Sequence, residues 1–453
     1  MTARSALRRY MLVSFLTWLP VGLMMTSMVL LLTERGLSLA QVGLVVTVFS
    51  IVTVVLELPT GGLADVVGRR VVLAASAAFL TAGLALMSVS TTFWMFLVSG
   101  VLKGVARALS SGPATSWYVD TLHRIEGHEA DLKPGLARGG AMESVSLCVG
   151  VLAGGGLPLV VPPSLMFPLA APSLLGSLAA AVLLVVVLLA LPEPGRFRRS
   201  PVGASPEQVR RSPAAVAPEG AHARRSLASV LREVPATVAS GVRLAVGGPA
   251  LRRLMAAAAS SGVVLVSIEL LTPGRLAELA GTAERGSMAY AAVAALGFAG
   301  SATGSTLAPR VARLAGGSPR GAIAGSALTA LSVGALAATA GLGGAAGLLT
   351  AGVAYVVLFV GGSVTGLLCL EMTHKAVTAA ERTTVTSTSS LSLQSGGILA
   401  NLTLGTLAAH AGVAPAWAVA ATMMLASALL FVRMPAATVS SPAQALPARS
   451  GSD

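Results

Sequence analysis

The chain consists of long, uninterrupted apolar segments separated by short polar ones. Twelve segments reach about 20 residues, the length that a helix needs to cross a bilayer. Because lipid offers no partner to open backbone groups, each segment is predicted to be a helix. Only 11% of the residues are charged, against about 25% in soluble proteins, which excludes an ordinary cytosolic enzyme and a disordered chain. The predicted spans are 11–32, 39–60, 71–90, 93–118, 138–160, 168–191, 252–272, 287–308, 321–342, 345–370, 384–408 and 413–433.

The positive charges are distributed unevenly between the two ends of these spans. Of the 31 Lys and Arg residues, 26 lie on one predicted side, two lie inside spans, and three lie on the other side, at Arg35, Arg275 and Arg285. Loops rich in Lys and Arg stay in the cytoplasm, so we expect a multi-pass protein of the cell membrane with both termini cytoplasmic. The net charge of +13 then reflects topology, and no nucleic-acid partner is expected.

The spans are predicted to form two related halves. We expect an N-terminal six-helix half over 1–191, a basic, Pro/Ala-rich cytoplasmic linker over 192–251, a C-terminal six-helix half over 252–433 and a disordered tail over 434–453. LADVVGR at 63–69 matches four of seven positions of LAPRVAR at 307–313, an offset of 244 residues. A parallel repeat of six helices is typical of secondary transporters.

A glycine- and arginine-rich stretch follows the second span. Residues 61–70 read GGLADVVGRR and resemble motif A of the major facilitator superfamily, G-x-L-A-D-R-x-G-R-R, with Val66 in place of the first arginine. The preceding ELPTG at 57–61 looks like the lead-in of drug-efflux-like members of that superfamily. The resemblance implies an all-α membrane protein with that fold, twelve transmembrane helices in two halves.

The resemblance also implies a gate, because in the family this motif locks one state of the transport cycle. The gate residues that it implies are Gly61, Asp65, Gly68, Arg69, Arg70 and Asp120. A static surface ion pair is the alternative interpretation. For a counterpart in the second half, the candidates are Arg313, Glu371 and Arg382.

Charges inside spans are costly and mark functional sites. Glu57, eight residues before Asp65, is the candidate proton carrier, with a permanently paired structural acid as the alternative. Lys103 and Arg107 are four residues apart and share one helix face, where they either line the substrate cavity or neutralise acids. The other cavity candidates are Trp18, Gln394 and Asn401.

These features predict a secondary active transporter rather than an enzyme. No Walker A, H-E-x-x-H or G-x-S-x-G sequence is present, and the His123–Asp131 loop lacks metal-ligand spacing, so neither a cofactor nor a metal is expected. We predict a monomer that exports a small apolar compound, a drug or a secondary metabolite, in exchange for protons, with membrane lipid around it. The alternatives are a proton symporter that imports a small anionic nutrient, and a non-transporting receptor or scaffold on the same fold.

Overall fold

The structure is a computed structural model that describes residues 1–127, 130–191, 243, 248–377 and 382–434. These residues are helical apart from short connections, and no strand occurs among them. The helices are α1 Ala3–Met25, α2 Met28–Glu34, α3 Leu39–Val67, α4 Arg69–Val89, α5 Phe93–Ser110, α6 Pro113–Glu126, α7 Lys133–Val160, α8 Ala171–Ala190, α9 Pro249–Ala280, α10 Ala283–Ala315, α11 Ser318–Ala338, α12 Gly344–Lys375, α13 Arg382–Ala411 and α14 Val413–Ala428. The predicted linker and tail lie almost wholly outside the described residues.

Eleven helical segments in the described part of the chain are long and apolar enough to cross a membrane. The predicted eleventh span, 384–408, is not among them, although it forms the long helix α13. Its hydroxyl and amide side chains make it more polar than the other spans. The all-helical class is therefore confirmed. Of the predicted spans, α13 has the composition that is least typical of a membrane-spanning helix.

Two predicted spans are interrupted helices. The first breaks between α1 and α2 at Thr26 and Ser27. The fourth breaks between α5 and α6, where Gly112 has φ +94° and Pro113 begins the next helix. A positive φ suits glycine, and the residue before a proline is disfavoured in the α conformation, so residues 111–113 stop one helix and start another.

Contacts divide the chain into two units. Unit 1 comprises Met1–Met25, Val48–Gly150 and Ala170–Ala236, of which the structure describes residues up to 191. Unit 2 comprises Thr26–Thr47, Val151–Leu169 and Thr237–Asp453. The division therefore differs from the one predicted from the repeat, because the first part of α3 and the last part of α7 pack with the C-terminal helices.

In unit 1, an aromatic pair anchors the helix that carries Asp120. The rings of Tyr10 in α1 and Tyr118 in α6 stack with their centroids 4.7 Å apart, and both residues are buried. Helix α7 passes over them at Gly135 and Gly139, where a Cβ atom would collide with the rings of Tyr118 and Tyr10, respectively. Glycine at these two positions lets the helix lie directly on the aromatic pair.

In unit 2, α9 and α13 cross closely through glycines. A Cβ atom at Gly262 would collide with the carbonyl oxygen of Leu393, and one at Gly396 would collide with that of Ala259. The first part of α3 packs against α13, because a Cβ atom at Gly43 would collide with the carbonyl oxygen of Asn401. Small residues let helix backbones approach this closely in a membrane protein.

The two halves repeat one contact. Arg9 Nη1 in α1 donates a 2.6 Å hydrogen bond to the carbonyl oxygen of Ala190, at the end of α8. Arg253 Nη1 in α9 donates a 3.0 Å bond to the carbonyl oxygen of Val432, beyond α14. Arg253 lies 244 residues after Arg9, which is the offset of the sequence repeat. In each half, an arginine of the first helix therefore bonds to the chain at the end of the last helix.

Candidate functional site

The predicted gate brings Arg69 and Asp120 together. Arg69 is the first residue of α4, and its Nη1 forms an ion pair with Asp120 of α6 and donates to the carbonyl oxygen of Ser116. The side chain of Asp120 is 51% exposed, so the pair contributes about 1 kcal/mol of stability at most. A pair of that strength is compatible with the gate that the motif A resemblance implies, and the gate role stays a prediction.

Gly68 sets the direction in which α4 leaves α3. Its φ is +109°, a conformation that a side chain disfavours. Two residues after Gly68, the Arg70 guanidinium donates a hydrogen bond to the carbonyl oxygen of Leu188, near the end of α8. Gly61 and Asp65 belong to α3, but the surroundings of Gly61 and the side chain of Asp65 lie outside the described part of the structure.

Glu57 lies in α3 beside the break in the fourth span. Its carboxylate accepts a 3.1 Å hydrogen bond from Ser111 Oγ, and its side chain is half-buried. The break between α5 and α6 thus places a hydroxyl against the predicted proton carrier. The sequence showed Ser111 as part of a continuous span, which hid this contact.

Unit 1 contains a cavity of about 120 Å³. It lies among α1, α3, α4, α5 and α8, and three predicted cavity residues line it: Trp18, Lys103 and Arg107. The complete lining is Thr17, Trp18, Pro20, Val21, Met24, Phe49, Leu73, Ser76, Leu80, Leu84, Lys103, Ala106, Arg107, Ser110 and Leu183.

The two cations of the cavity, Lys103 and Arg107, contact thioether sulfurs and an aromatic ring. Lys103 is buried, and its Nζ lies 3.4 Å from the sulfur of Met24 and 3.3 Å from the sulfur of Met87. The guanidinium carbon of Arg107 lies 4.5 Å from the centre of the Trp18 ring, a cation–π contact. Sequence reasoning missed both methionines, because thioethers carry no signal beyond hydrophobicity.

Two acids act on Arg107 from outside the lining. Glu57 of α3 and Glu143 of α7 both interact with it electrostatically. Both acids lie on helices other than α5, so their effect on Arg107 depends on how the helices pack.

The predicted cavity residues of the second half do not join this cavity. Asn401 is buried in α13, and its Nδ2 has no hydrogen-bond partner among the described residues. Gln394 is half-buried in the same helix. Neither residue lines the cavity, whose lining belongs entirely to unit 1. Both residues belong to α13 in unit 2, and their role as cavity residues stays a prediction.

The second half has a hydroxyl where the first half has Arg69. Ser318 is the first residue of α11, and its Oγ donates a 2.9 Å bond to Glu371 of α12, which also pairs with Lys375. Arg313, which the sequence repeat aligns with Arg69, instead lies exposed in the last turn of α10, since that helix continues to Ala315. The side chain of Arg382 lies outside the described residues.

A carboxylate and two phenols meet in unit 2. Glu269 interacts electrostatically with Tyr290 and Tyr355, whose buried hydroxyls lie 3.5 Å apart. Helix α9 continues to Ala280, which puts the acid about 16 Å from the helix end at 1.5 Å per residue. No group of three or more His, Cys, Asp or Glu residues able to hold a metal occurs in the described parts of the chain.

The chain resembles solved transporter structures over nearly its whole length. The nucleoside transporter NupG superposes with a TM-score of 0.72 at 13% identity, covering 95% of this chain and 98% of that one. A bacterial homologue of the lysosomal transporter Spinster gives 0.65 at 16%, covering 95% of each chain. A mutant of the peptide transporter POT in complex with sulfate gives 0.66 at 14%, covering 94% of each chain. These identities establish the fold alone.

In sequence, no curated protein matches the chain, but a family does. Residues 10–401 match the Major Facilitator Superfamily, which agrees with the multi-pass helical fold and with motif A. The chain therefore belongs to the Major Facilitator Superfamily and is a membrane transporter rather than an enzyme.

Proposed function

We propose that the protein exports a small, largely apolar compound, a drug or a secondary metabolite, in exchange for protons. It acts as a monomer in the cell membrane, with both termini in the cytoplasm and Arg69 and Asp120 in the gate that its motif A resemblance implies. Transport proceeds by alternating access, in which the halves rock about the substrate. The substrate-binding part that we assign is the cavity of unit 1.

The cavity lining carries this proposal. Ten of its fifteen residues are apolar, including the aromatic side chains of Trp18 and Phe49. Small-molecule sites are mostly apolar with a few polar groups that set orientation, and this lining has that composition. The composition of the lining therefore supports an apolar substrate. The direction of transport is tested by the accumulation assay below.

Glu57 supplies the proton site of the proposal. A carboxylate can take up and release a proton, and its charge acts on Arg107 at the cavity. Loading a proton on Glu57 removes that attraction and changes the charge that the cavity presents. Proton uptake and substrate binding are thereby linked through one arginine.

Accumulation of a panel of diverse compounds, in cells with and without the protein, tests the function. We expect lower accumulation of at least one compound, and we expect a protonophore to abolish the difference. Higher accumulation in the cells that contain the protein would replace export by import. An effect that survives the protonophore would remove proton coupling from the proposal.

The same assay tests Glu57 by substitution. We expect Glu57→Gln to bind the compound and to lose proton-driven export, because an amide cannot carry the proton. Glu126→Gln is the matched control, since Glu126 is exposed at the end of α6. Proton-driven export that continues unchanged in Glu57→Gln would show that another group carries the proton.

A further inference from the structure

We infer that Glu269, Thr272 and Asn401 form a binding site for a primary ammonium group. The ligand class is an organic amine with an apolar body. This site goes beyond the proposed function, which assigned the substrate to the cavity of unit 1, because all three residues belong to unit 2. It rests on contacts of α9 and α13 that the proposed function does not use.

Glu269 is an acid without a cation inside a predicted span. It forms no ion pair or hydrogen bond among the described residues, and the groups on which its charge acts, Tyr290 and Tyr355, are phenols. Arg275, the nearest base along α9, already pairs with Glu278. A carboxylate inside a span is costly unless a cation approaches it. Glu269 is exposed, so a ligand can reach its carboxylate.

Thr272 adds a hydroxyl on the same face of α9. It lies three residues after Glu269, so the two side chains are neighbours on the helix. Other threonines of this chain donate to the carbonyl oxygen four residues earlier, as Thr388 and Thr403 do. The buried Thr272 hydroxyl has no hydrogen-bond partner among the described residues. Its oxygen therefore remains available to a ligand.

Asn401 of α13 lies at the level of these two residues. A Cβ atom at Gly397 would lie 2.9 Å from Cγ2 of Val266, and one at Gly405 would lie 3.4 Å from Cδ2 of Leu270. Asn401 is four residues from each of these glycines and shares their face, which packs on α9. The acid of α9 lies between the two apolar residues that the glycines contact. The amide and the carboxylate are thus at one level of one helix pair.

The three side chains supply the acceptors that a primary ammonium needs. Such a group has three N–H donors, and a carboxylate, a hydroxyl and an amide each offer an oxygen. No hydrogen bond among the described residues fixes the side chain of Asn401, so its amide oxygen can turn to the ligand. The bond to Glu269 is charge-assisted and is the strongest of the three. The half-buried side chains of Leu265 and Val266 lie on the same turns and offer apolar surface for the body of the amine.

Four compounds with one phenyl ring test the inference on the purified full-length protein. Phenethylamine, phenethyl alcohol and hydrocinnamate carry positive, zero and negative charge, and trimethylphenethylammonium keeps the positive charge without N–H groups. We expect calorimetric titration to show phenethylamine binding at least about tenfold more tightly than the alcohol, the ratio for one charge-assisted hydrogen bond. We expect the trimethyl compound to bind more weakly than phenethylamine, and hydrocinnamate to bind most weakly. Equal affinities, tightest binding of any of the other three compounds, or no saturable phenethylamine binding would overturn the inference.

Variants assign the preference to individual side chains. Glu269→Gln should remove the preference for phenethylamine while the affinity for the alcohol stays within about twofold, because neutral binding does not use the charge. Glu278→Gln is the matched control, an exposed acid of the same helix that already pairs with Arg275. Thr272→Val should lower phenethylamine affinity by about two- to tenfold, the effect of one neutral hydrogen bond. A preference that is unchanged in Glu269→Gln would place the ammonium elsewhere.

Two further measurements separate lost binding from misfolding. Glu269→Gln removes a costly charge from a span, so we expect it to unfold at or above the temperature of the wild-type protein. Glu269→Asp keeps the charge, and we expect it to keep a preference for phenethylamine over the alcohol. Loss of the preference in a folded Glu269→Asp protein would contradict recognition by charge.

A sodium ion is the competing occupant, because it also takes oxygen ligands. A rise in unfolding temperature when sodium replaces choline, lost in Glu269→Gln and accompanied by no preference for phenethylamine, would assign the site to sodium and overturn the inference. The proposed function fails differently. Phenethylamine preference without proton-driven flux in either direction would reject the function and keep the inference. Proton-driven export with no preference for phenethylamine would do the reverse.

Discussion

Charged side chains decide the chemistry of this apolar molecule at the scale of single residues. Lys103 and Arg107 line one cavity, and Glu57 and Glu143 act on Arg107 from its outside. Spacing along one helix predicted that Lys103 and Arg107 share a face. It could not predict the electrostatic effect of Glu143 in α7 on Arg107, because that effect depends on how the helices pack.

Gly68→Ala tests the backbone at the gate. The φ of +109° at Gly68 disfavours any side chain, so we expect a loss of about 1–3 kcal/mol in the free energy of unfolding. Gly334→Ala is the control, because that helical glycine has open space around a Cβ atom and an ordinary φ. Thermal unfolding in detergent measures both variants, and equal melting temperatures would contradict the expected strain.

Asp120→Asn tests the gate itself. The exposed ion pair with Arg69 contributes little stability, so we expect the free energy of unfolding to fall by no more than about 1 kcal/mol. In the proposed gate the contact forms and opens in each cycle, so on that proposal we expect the transport rate to fall. Asp131→Asn, on an exposed loop, is the control. A normal transport rate in Asp120→Asn would show that the pair is a static surface contact and not a gate.

At the scale of elements, prediction from the sequence was least accurate about where helices begin and end. Apolar runs locate helices well, but they do not show where a helix breaks inside a span, as α5 and α6 do at Gly112. They also do not show where one continues past its apolar core, as α9 does beyond residue 272. Both features affect the surroundings of an acid. The break gives Glu57 a hydroxyl partner, and the continuation places Glu269 well inside its helix.

Gly262→Ala tests the crossing of α9 and α13. A Cβ atom at Gly262 would collide with the carbonyl oxygen of Leu393, so the helices must separate, and we expect a loss of about 1–3 kcal/mol in the free energy of unfolding. Gly274→Ala lies in the same helix with open space around its Cβ position. We expect it to be neutral or stabilising, since alanine favours helices. Similar unfolding curves for the two variants would argue against a tight crossing.

At the scale of the whole molecule, the repeat appears as a shared contact more clearly than as a shared sequence. Four matches in seven residues aligned Arg69 with Arg313, yet these residues occupy different places in the structure. Arg9 and Arg253 keep both the offset and the role, because each arginine caps carbonyls at the end of its half.

Arg9→Met and Arg253→Met test that repeated cap. We expect each variant to lose up to about 1 kcal/mol in the free energy of unfolding, since each removes a partly solvated bond from a charged donor. Because the two arginines share no hydrogen-bond partner, we expect the losses to add in the double variant. A double variant that is no worse than either single one would contradict independent caps.

The sequence by itself determined the helical class, the membrane-spanning helices and the family. Each of these follows from apolar length or from the consecutive residues of motif A, and both are local properties of the chain. Only the tertiary structure decided that Trp18, Lys103 and Arg107 share a cavity with Met24, whereas Gln394 and Asn401 do not line it. The physical reason is the abundance of small residues: 50 glycines and many alanines let almost any helix face pack closely, so helix periodicity could not indicate which face does.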